Sequence, residues 1–117
     1  MAFAYRSLTS DFATAGQIAP DDIAQAAAAG FRSIINNRPD FEGGPSQPTS
    51  VAMQRAADAA GLRYAFLPVQ SSYQTPEEIA RMRDLLRELP RPVLAFCRSG
   101  TRSGNLFQAA QALARDG

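Results

Sequence analysis

The chain contains no histidine, no lysine and no tryptophan, and one cysteine, in 117 residues. Each absence excludes a chemistry. Without histidine there is no Ser–His or Cys–His catalytic pair and no imidazole metal ligand. Without lysine there is no Schiff base and no phosphate-loop lysine. A single cysteine forms neither an internal disulfide nor a thiolate zinc cluster. No metal and no cofactor are therefore expected. The twelve basic residues, all arginine, nearly balance eleven acidic ones, for a net charge of +1. That leaves no broad basic face for nucleic acid. No apolar run approaches the roughly 18 residues a membrane span needs. The start, Met1 to Arg6, lacks the basic-then-apolar pattern of a signal peptide. The expectation is a cytoplasmic protein whose thiol stays reduced.

What is present suits one globular domain over residues 1–117, with 45% apolar residues. Apolar stretches at Ala2–Tyr5 and Phe12–Ala15 read as two short strands or a hairpin. Pro20-Asp21-Asp22 opens a helix, with proline at the first position and acids at the positive end of the dipole, and Gly30 stops it. The pattern then predicts a strand over 31–35, a helix over 51–60 and a strand over 63–69. Thr75-Pro-Glu-Glu78 is a capping box that starts a helix over 75–89, with Ile79, Met82, Leu85, Leu86 and Leu89 on one face. A fully apolar strand over 93–96 and a helix over 103–115 follow.

Helices alternating with strands imply an α/β domain of three layers, with a mostly parallel sheet between helices. Ligands on such sheets bind beyond the carboxyl ends of the strands. Three polar stretches fall there: Asn36–Ser50, Gln70–Gln74 and Cys97–Gly100. The acidic pairs Asp21-Asp22 and Glu77-Glu78 read as helix-start charges. Tyr73 reads as packing at the rim.

The sharpest signal is Phe96-Cys97-Arg98-Ser99-Gly100-Thr101-Arg102-Ser103. A buried strand ends at the cysteine, a short loop with a central glycine follows, and a helix begins. That order turns successive backbone N–H groups inward, as an anion-binding nest at a helix N-terminus. Arg102 can close over the nest with a planar fork, and Arg98 can steer an incoming anion. A lone cysteine ending an apolar strand is ordinarily an inert core thiol. Two arginines and a glycine are poor neighbours for that role. Next to guanidinium groups and a helix N-terminus, a thiol pKa falls from about 8.5 toward roughly 3.5–7.5. Cys97 is the candidate nucleophile. The amides of residues 98–102, Arg98, Ser99, Gly100 and Thr101 among them, form the candidate anion cradle, with Ser103 as a donor to the thiolate. Asn36–Asp40 reads either as a turn held by an Arg38–Asp40 ion pair or as a functional segment. In the second case Arg38 is a rim guanidinium and Asp40 an acid or a brace.

The loop and its setting resemble the cysteine-loop phosphatases and the rhodaneses. The whole chain resembles the small bacterial phosphatase-like domain found alone or fused to a β-lactamase-fold hydrolase. Members of that family are also described as sulfurtransferases. The resemblance runs through Gln17–Asp22, Gly30-Phe31, Ile35–Asp40, Ala56-Ala57, Gly61-Leu62, Tyr64, Pro68-Val69 and Pro92–Ser103. It implies a dual-specificity-phosphatase fold and a small anionic substrate: thiosulfate, a persulfide or a phosphate ester. It also implies partnership with a metallo-β-lactamase-fold hydrolase or a sulfide-oxidising enzyme.

Two departures favour sulfur transfer over phosphate hydrolysis. The phosphatase signature places five residues between cysteine and arginine, after a histidine. Cys97 and Arg102 have four between them, after Phe96, which fits the six-residue rhodanese pattern. The family of dual-specificity phosphatases places an acidic residue in the loop that reads Gln70-Ser-Ser-Tyr-Gln74 here. The leading expectation is a rhodanese-type sulfurtransferase acting through a Cys97 persulfide. The alternative is a phosphatase acting through a Cys97 phosphocysteine, with Asp40 or Glu42 supplying the acid. A third is a non-catalytic module that binds oxyanions.

Overall fold

Alternating apolar residues in short β-branched and aromatic runs build the sheet. The computed structural model describes residues 3–116. The strands are β1 (Arg6–Thr9), β2 (Phe12–Ala15), β3 (Ser33–Asn36), β4 (Arg63–Phe66) and β5 (Val93–Phe96). The helices are α1 (Pro20–Ala28), α2 (Ser50–Ala59), α3 (Pro76–Glu88) and α4 (Thr101–Asp116). The sheet order is β1-β2-β5-β3-β4, parallel throughout except for the β1–β2 hairpin.

Period-two alternation divides the core between the faces. Leu94 and Phe96 of β5, with Ile34 of β3, pack against Ile23 and Ala26 of α1 and Met53 and Ala57 of α2. Val93, Ala95 and Ile35 face Met82 and Leu85 of α3 and Leu106, Phe107 and Ala110 of α4. Phe12 stacks on Phe107, with ring centroids 4.0 Å apart. Because β5 is wholly buried between β2 and β3, truncating Leu94 to alanine would cost about 2–5 kcal/mol. That rigid centre carries Cys97 at its carboxyl end.

The predicted capping box of α3 is present: Thr75 Oγ1 accepts the Glu78 N–H at 3.1 Å, and Glu78 Oε1 accepts the Thr75 N–H at 2.8 Å. Several boundaries need correction: β3 begins at Ser33 rather than at 31, and β4 ends at Phe66 rather than at 69. The first strand lies at Arg6–Thr9, not at 2–5, and Ala2 falls outside the described residues. Its cause is aromatic packing: Tyr5 meets Phe31 edge-on at 5.1 Å and Phe3 at 5.3 Å, so the apolar run covers the core rather than pairing in the sheet. The last helix begins at Thr101, two residues earlier than expected, which brings Arg102 into its first turn.

Candidate active site

The Cys97 loop is pinned on both flanks by backbone. The Cys97 N–H donates to Ala15 O at 3.3 Å, Arg98 O accepts the Gln17 N–H at 3.2 Å, and Phe96 O accepts the Asn37 N–H at 2.9 Å. Gly100 has φ +92°, a left-handed conformation that calls for glycine, while a Cβ there would make only ordinary contact with the Ala15 carbonyl, at 3.4 Å. Its N–H donates to Cys97 Sγ at 3.1 Å.

The thiol is buried, at 1% exposure. Burial pushes its pKa up, but the Ser103 N–H and hydroxyl and the N–H groups of Ser99 and Gly100 outweigh it, and the pKa lies below its ordinary value. The Ser103 hydroxyl has one proton, and it also donates to Asn37 Oδ1 at 2.8 Å. Asn37 Nδ2 donates to Leu67 O at 3.0 Å, which fixes the amide so that its oxygen faces Ser103. The hydroxyl proton is thus contested by two acceptors, and the backbone N–H groups are the constant part of the thiolate's support.

Above the sulfur lies a cavity of about 350 Å³ lined by Glu42, Ser71, Cys97, Arg98, Ser99 and Arg102. Thr101 and Asn105 complete its wall. Arg102 is held from behind. Its Nη1 donates to Val69 O at 3.0 Å and to Glu42 Oε2 at 3.1 Å, and its Nη2 donates to Glu42 Oε1 at 3.1 Å. Its Nε is buried with no hydrogen-bond partner among the described residues. An orphaned guanidinium N–H is costly unless an anion satisfies it.

Glu42 reaches Arg102 through an unusual backbone. Phe41 adopts φ +64°, a left-handed conformation that costs a bulky residue on the order of 1–3 kcal/mol. Phe41 itself points into solvent while Glu42 turns inward. Arg38 Nε donates to Glu42 Oε1 at 2.9 Å, and Arg38 Nη1 donates to Gln17 Oε1 at 3.1 Å. Burial pushes the Glu42 carboxyl up, yet hydrogen bonds and charge from Arg102 and Arg38 overcome this and hold its pKa below the usual value. Glu42 is a carboxylate, not a proton donor, in this arrangement.

Among the expected site residues, the fold brings Cys97, Arg98, Ser99, Thr101, Arg102 and the backbone of Gly100 and Ser103 together. It does not bring Asp40. The Asp40 Oδ1 accepts the Ser50 N–H at 2.8 Å and so braces the start of α2, away from the cavity. Arg38 is buried behind Glu42 rather than standing on the rim, and its ion pair is with Glu42, four residues on, not with Asp40. Tyr73 is 63% exposed and does not line the cavity. Ser71, Asn105, Asn37 and Gln17 were not singled out from the sequence. Asn37 and Gln17 sit within the family-like segments, but no local pattern ties either to Cys97 or Arg102.

Known proteins are similar to this chain in sequence and fold. The family described as "Beta-lactamase hydrolase-like protein, phosphatase-like domain" matches residues 4–114. A beta-lactamase hydrolase-like protein of Agrobacterium fabrum is 40% identical over 99 residues, covering 85% of this chain and 23% of that protein. The chain therefore spans under a quarter of the length of this curated relative. A candidate phosphatase from Neisseria meningitidis has a crystal structure 31% identical, at TM-score 0.80, covering 87% of this chain and 72% of that one. The catalytic core of an S. cerevisiae PP-IP phosphatase shares the fold at TM-score 0.72 and 13% identity, covering 97% and 68%. With nearly its whole length matched and the cysteine loop on a phosphatase-like α/β scaffold, the chain belongs to the phosphatase-like domain family of the beta-lactamase hydrolase-like proteins.

Proposed function

We propose that the domain is a cysteine-dependent phosphoric monoester hydrolase. One observation carries the reading: a buried Cys97 sulfur accepts backbone N–H groups at the floor of a cavity walled by Arg102, whose Nε lacks a partner. The family match and the phosphatase neighbours support it over sulfur transfer, the leading expectation from loop spacing.

In this mechanism the Cys97 thiolate attacks phosphorus and the bond to the ester oxygen breaks, leaving a phosphocysteine. The inward N–H groups and Arg102 Nε hold the equatorial oxygens, where charge develops. Water then attacks phosphorus, the S–P bond breaks, and phosphate and the thiolate are released. Arg98, exposed at the cavity mouth, draws the anion in.

The leaving oxygen meets no protonated carboxyl, because Glu42 is ionised between two guanidinium groups. General acid help is typically worth about 10²–10⁴-fold, so esters with acidic leaving groups are favoured. The test is turnover of p-nitrophenyl phosphate, expected for the native protein and lost in Cys97→Ser. Mass spectrometry of quenched reactions should show one phosphoryl group on Cys97. A protein that neither turns over nor carries an adduct is an oxyanion-binding module instead.

A second reading is favoured by the six-residue span from Cys97 to Arg102 and the absent acid. In sulfur transfer the thiolate attacks the outer sulfur of thiosulfate, the S–S bond breaks, and sulfite leaves. The resulting persulfide passes its outer sulfur to cyanide or a thiol. Thiocyanate formation with one sulfur added to Cys97, and no phosphate turnover, would select it. Since the chain spans 23% of a curated relative, the proposal extends to partnership with a β-lactamase-fold hydrolase, joined or separate.

A further inference from the structure

A second cavity is larger than the one above Cys97. A cavity of about 510 Å³ lies on the opposite side of the cysteine loop, between the β1–β2 hairpin and the first turns of α4. Ser99, Thr101 and Asn105 line both cavities, so the two adjoin across the loop. Tyr5 and Arg6 stand on its far wall, facing Gln108 of α4.

Two features bear on this space, one on the charge of what it would hold and one on its width. The first is charge. Arg6 is the one formally charged residue lining the cavity, it is exposed, and it forms no ion pair among the described residues. No carboxylate lines the wall to repel an anion. The second is Gly104. It lies inside α4, where glycine costs about 1 kcal/mol relative to alanine. Packing does not demand that cost: a Cβ there would meet only Leu8 Cδ1, at 4.0 Å, an ordinary contact. Nor does its backbone, which is ordinary helix. What a side chain at 104 would do is narrow this cavity.

We propose that the substrate carries two anionic groups. The reacting group sits over Cys97, the connecting portion crosses Ser99 and Thr101, and the second anion meets Arg6 in the β1–α4 cavity. The inference rests on the Cys97 reading for which end reacts, and on the cavity alone for the second anion.

The experiment uses α,ω-alkanediol bisphosphates of graded length, the alkyl monophosphates of matching length, and inorganic phosphate. Binding to the Cys97→Ser protein is measured by calorimetry, with amide shifts mapped by NMR. A bisphosphate of optimal length should bind about tenfold more tightly than its monophosphate, the worth of one charge-assisted contact. It should shift the amides of Thr14 and Gln108. Arg6→Gln should bring the pair within about twofold. Gly104→Leu should weaken the long ligands and leave inorganic phosphate unchanged. Gly104→Ala, a helix-favouring change, should fold at least as well as the parent and weaken them less.

Equal binding of mono- and bisphosphates, or an advantage that survives Arg6→Gln, overturns the proposal. Turnover of p-nitrophenyl phosphate by the native protein is scored separately. Its absence sinks the hydrolase reading while an Arg6-dependent advantage keeps the second anion subsite. Its presence without that advantage does the reverse.

Discussion

The loop from Cys97 to Ser103 and the loop from Asn37 to Thr49 both end at Arg102, but they get there by different physics. The short loop works with backbone. Its shape follows from a strand end, one glycine at φ +92° and a helix start, and its donors are N–H groups any sequence would supply. The long loop works with side chains. Gln47 Oε1 accepts the Gly43 N–H at 2.7 Å, and Gln47 Nε2 donates to Pro39 O at 2.9 Å, which closes the loop on itself. Gly43 leaves room for Arg38, whose Nη2 would lie 2.7 Å from a Cβ at that position. Arg38 then holds Glu42, and Glu42 holds Arg102. The short loop makes the anion site, and the long one aims its cation.

That contrast can be broken at several points. The largest effect belongs to the short loop's nucleophile. Cys97→Ser should lower phosphate-ester turnover by at least about 10³-fold, as loss of a nucleophile typically does. Residual turnover near the native rate would remove Cys97 from the chemistry.

Next is the point where the loops meet. Arg102→Lys keeps the charge but loses the fork, and should cost about 10²–10³-fold in kcat. Steady-state kinetics that show only a raised KM would mean that Arg102 binds the ground state alone.

The long loop separates its two carboxylates. Glu42→Gln should lower kcat by about 10-fold or more, because Arg102 loses its charged anchor. Asp40→Asn should leave kcat within about twofold and shift the thermal midpoint by a few degrees, since its carboxylate caps α2. The opposite ranking, with an acidic-side pH limb lost in Asp40→Asn, would restore Asp40 as the acid. The Glu42 carboxyl pKa is lowered by folding, so its pairing stabilises the fold above the unfolded carboxylate value of 4.5. That stabilisation is lost as pH falls through the lower folded value. Acid titration of unfolding should show the loss in the native protein and not in Glu42→Gln.

The smallest effect concerns the thiol. Its pKa is lowered by folding, so alkylation of Cys97 should rise with pH through a midpoint below 9.0. Ser103→Ala should move that midpoint up and reduce the rate several-fold. An unmoved midpoint would leave the N–H groups of Ser99 and Gly100 as sufficient support.

The order of elements was legible because each was marked locally. The Thr75–Glu78 capping box started α3 as expected, and Val93–Phe96 formed the expected strand. The Arg6–Thr9 strand was not, since all its residues but the half-buried Leu8 are polar and exposed, and only pairing with β2 makes it a strand. Asp40 and Glu42 looked interchangeable in sequence, two residues apart in one irregular stretch. The left-handed turn at Phe41 separates them by sending one toward α2 and the other toward Arg102.

Sequence by itself determined the α/β alternation and the cysteine loop, because hydrophobic period, caps and a glycine at a strand-to-helix turn act over a few neighbouring residues. Tertiary structure decided which carboxylate faces the guanidinium, which amide shares the Ser103 hydroxyl, and that a second cavity opens beside the loop. The first two depend on side chains 60 and 66 positions apart, and the cavity on the β1–β2 hairpin meeting α4, and no local pattern encodes such a meeting.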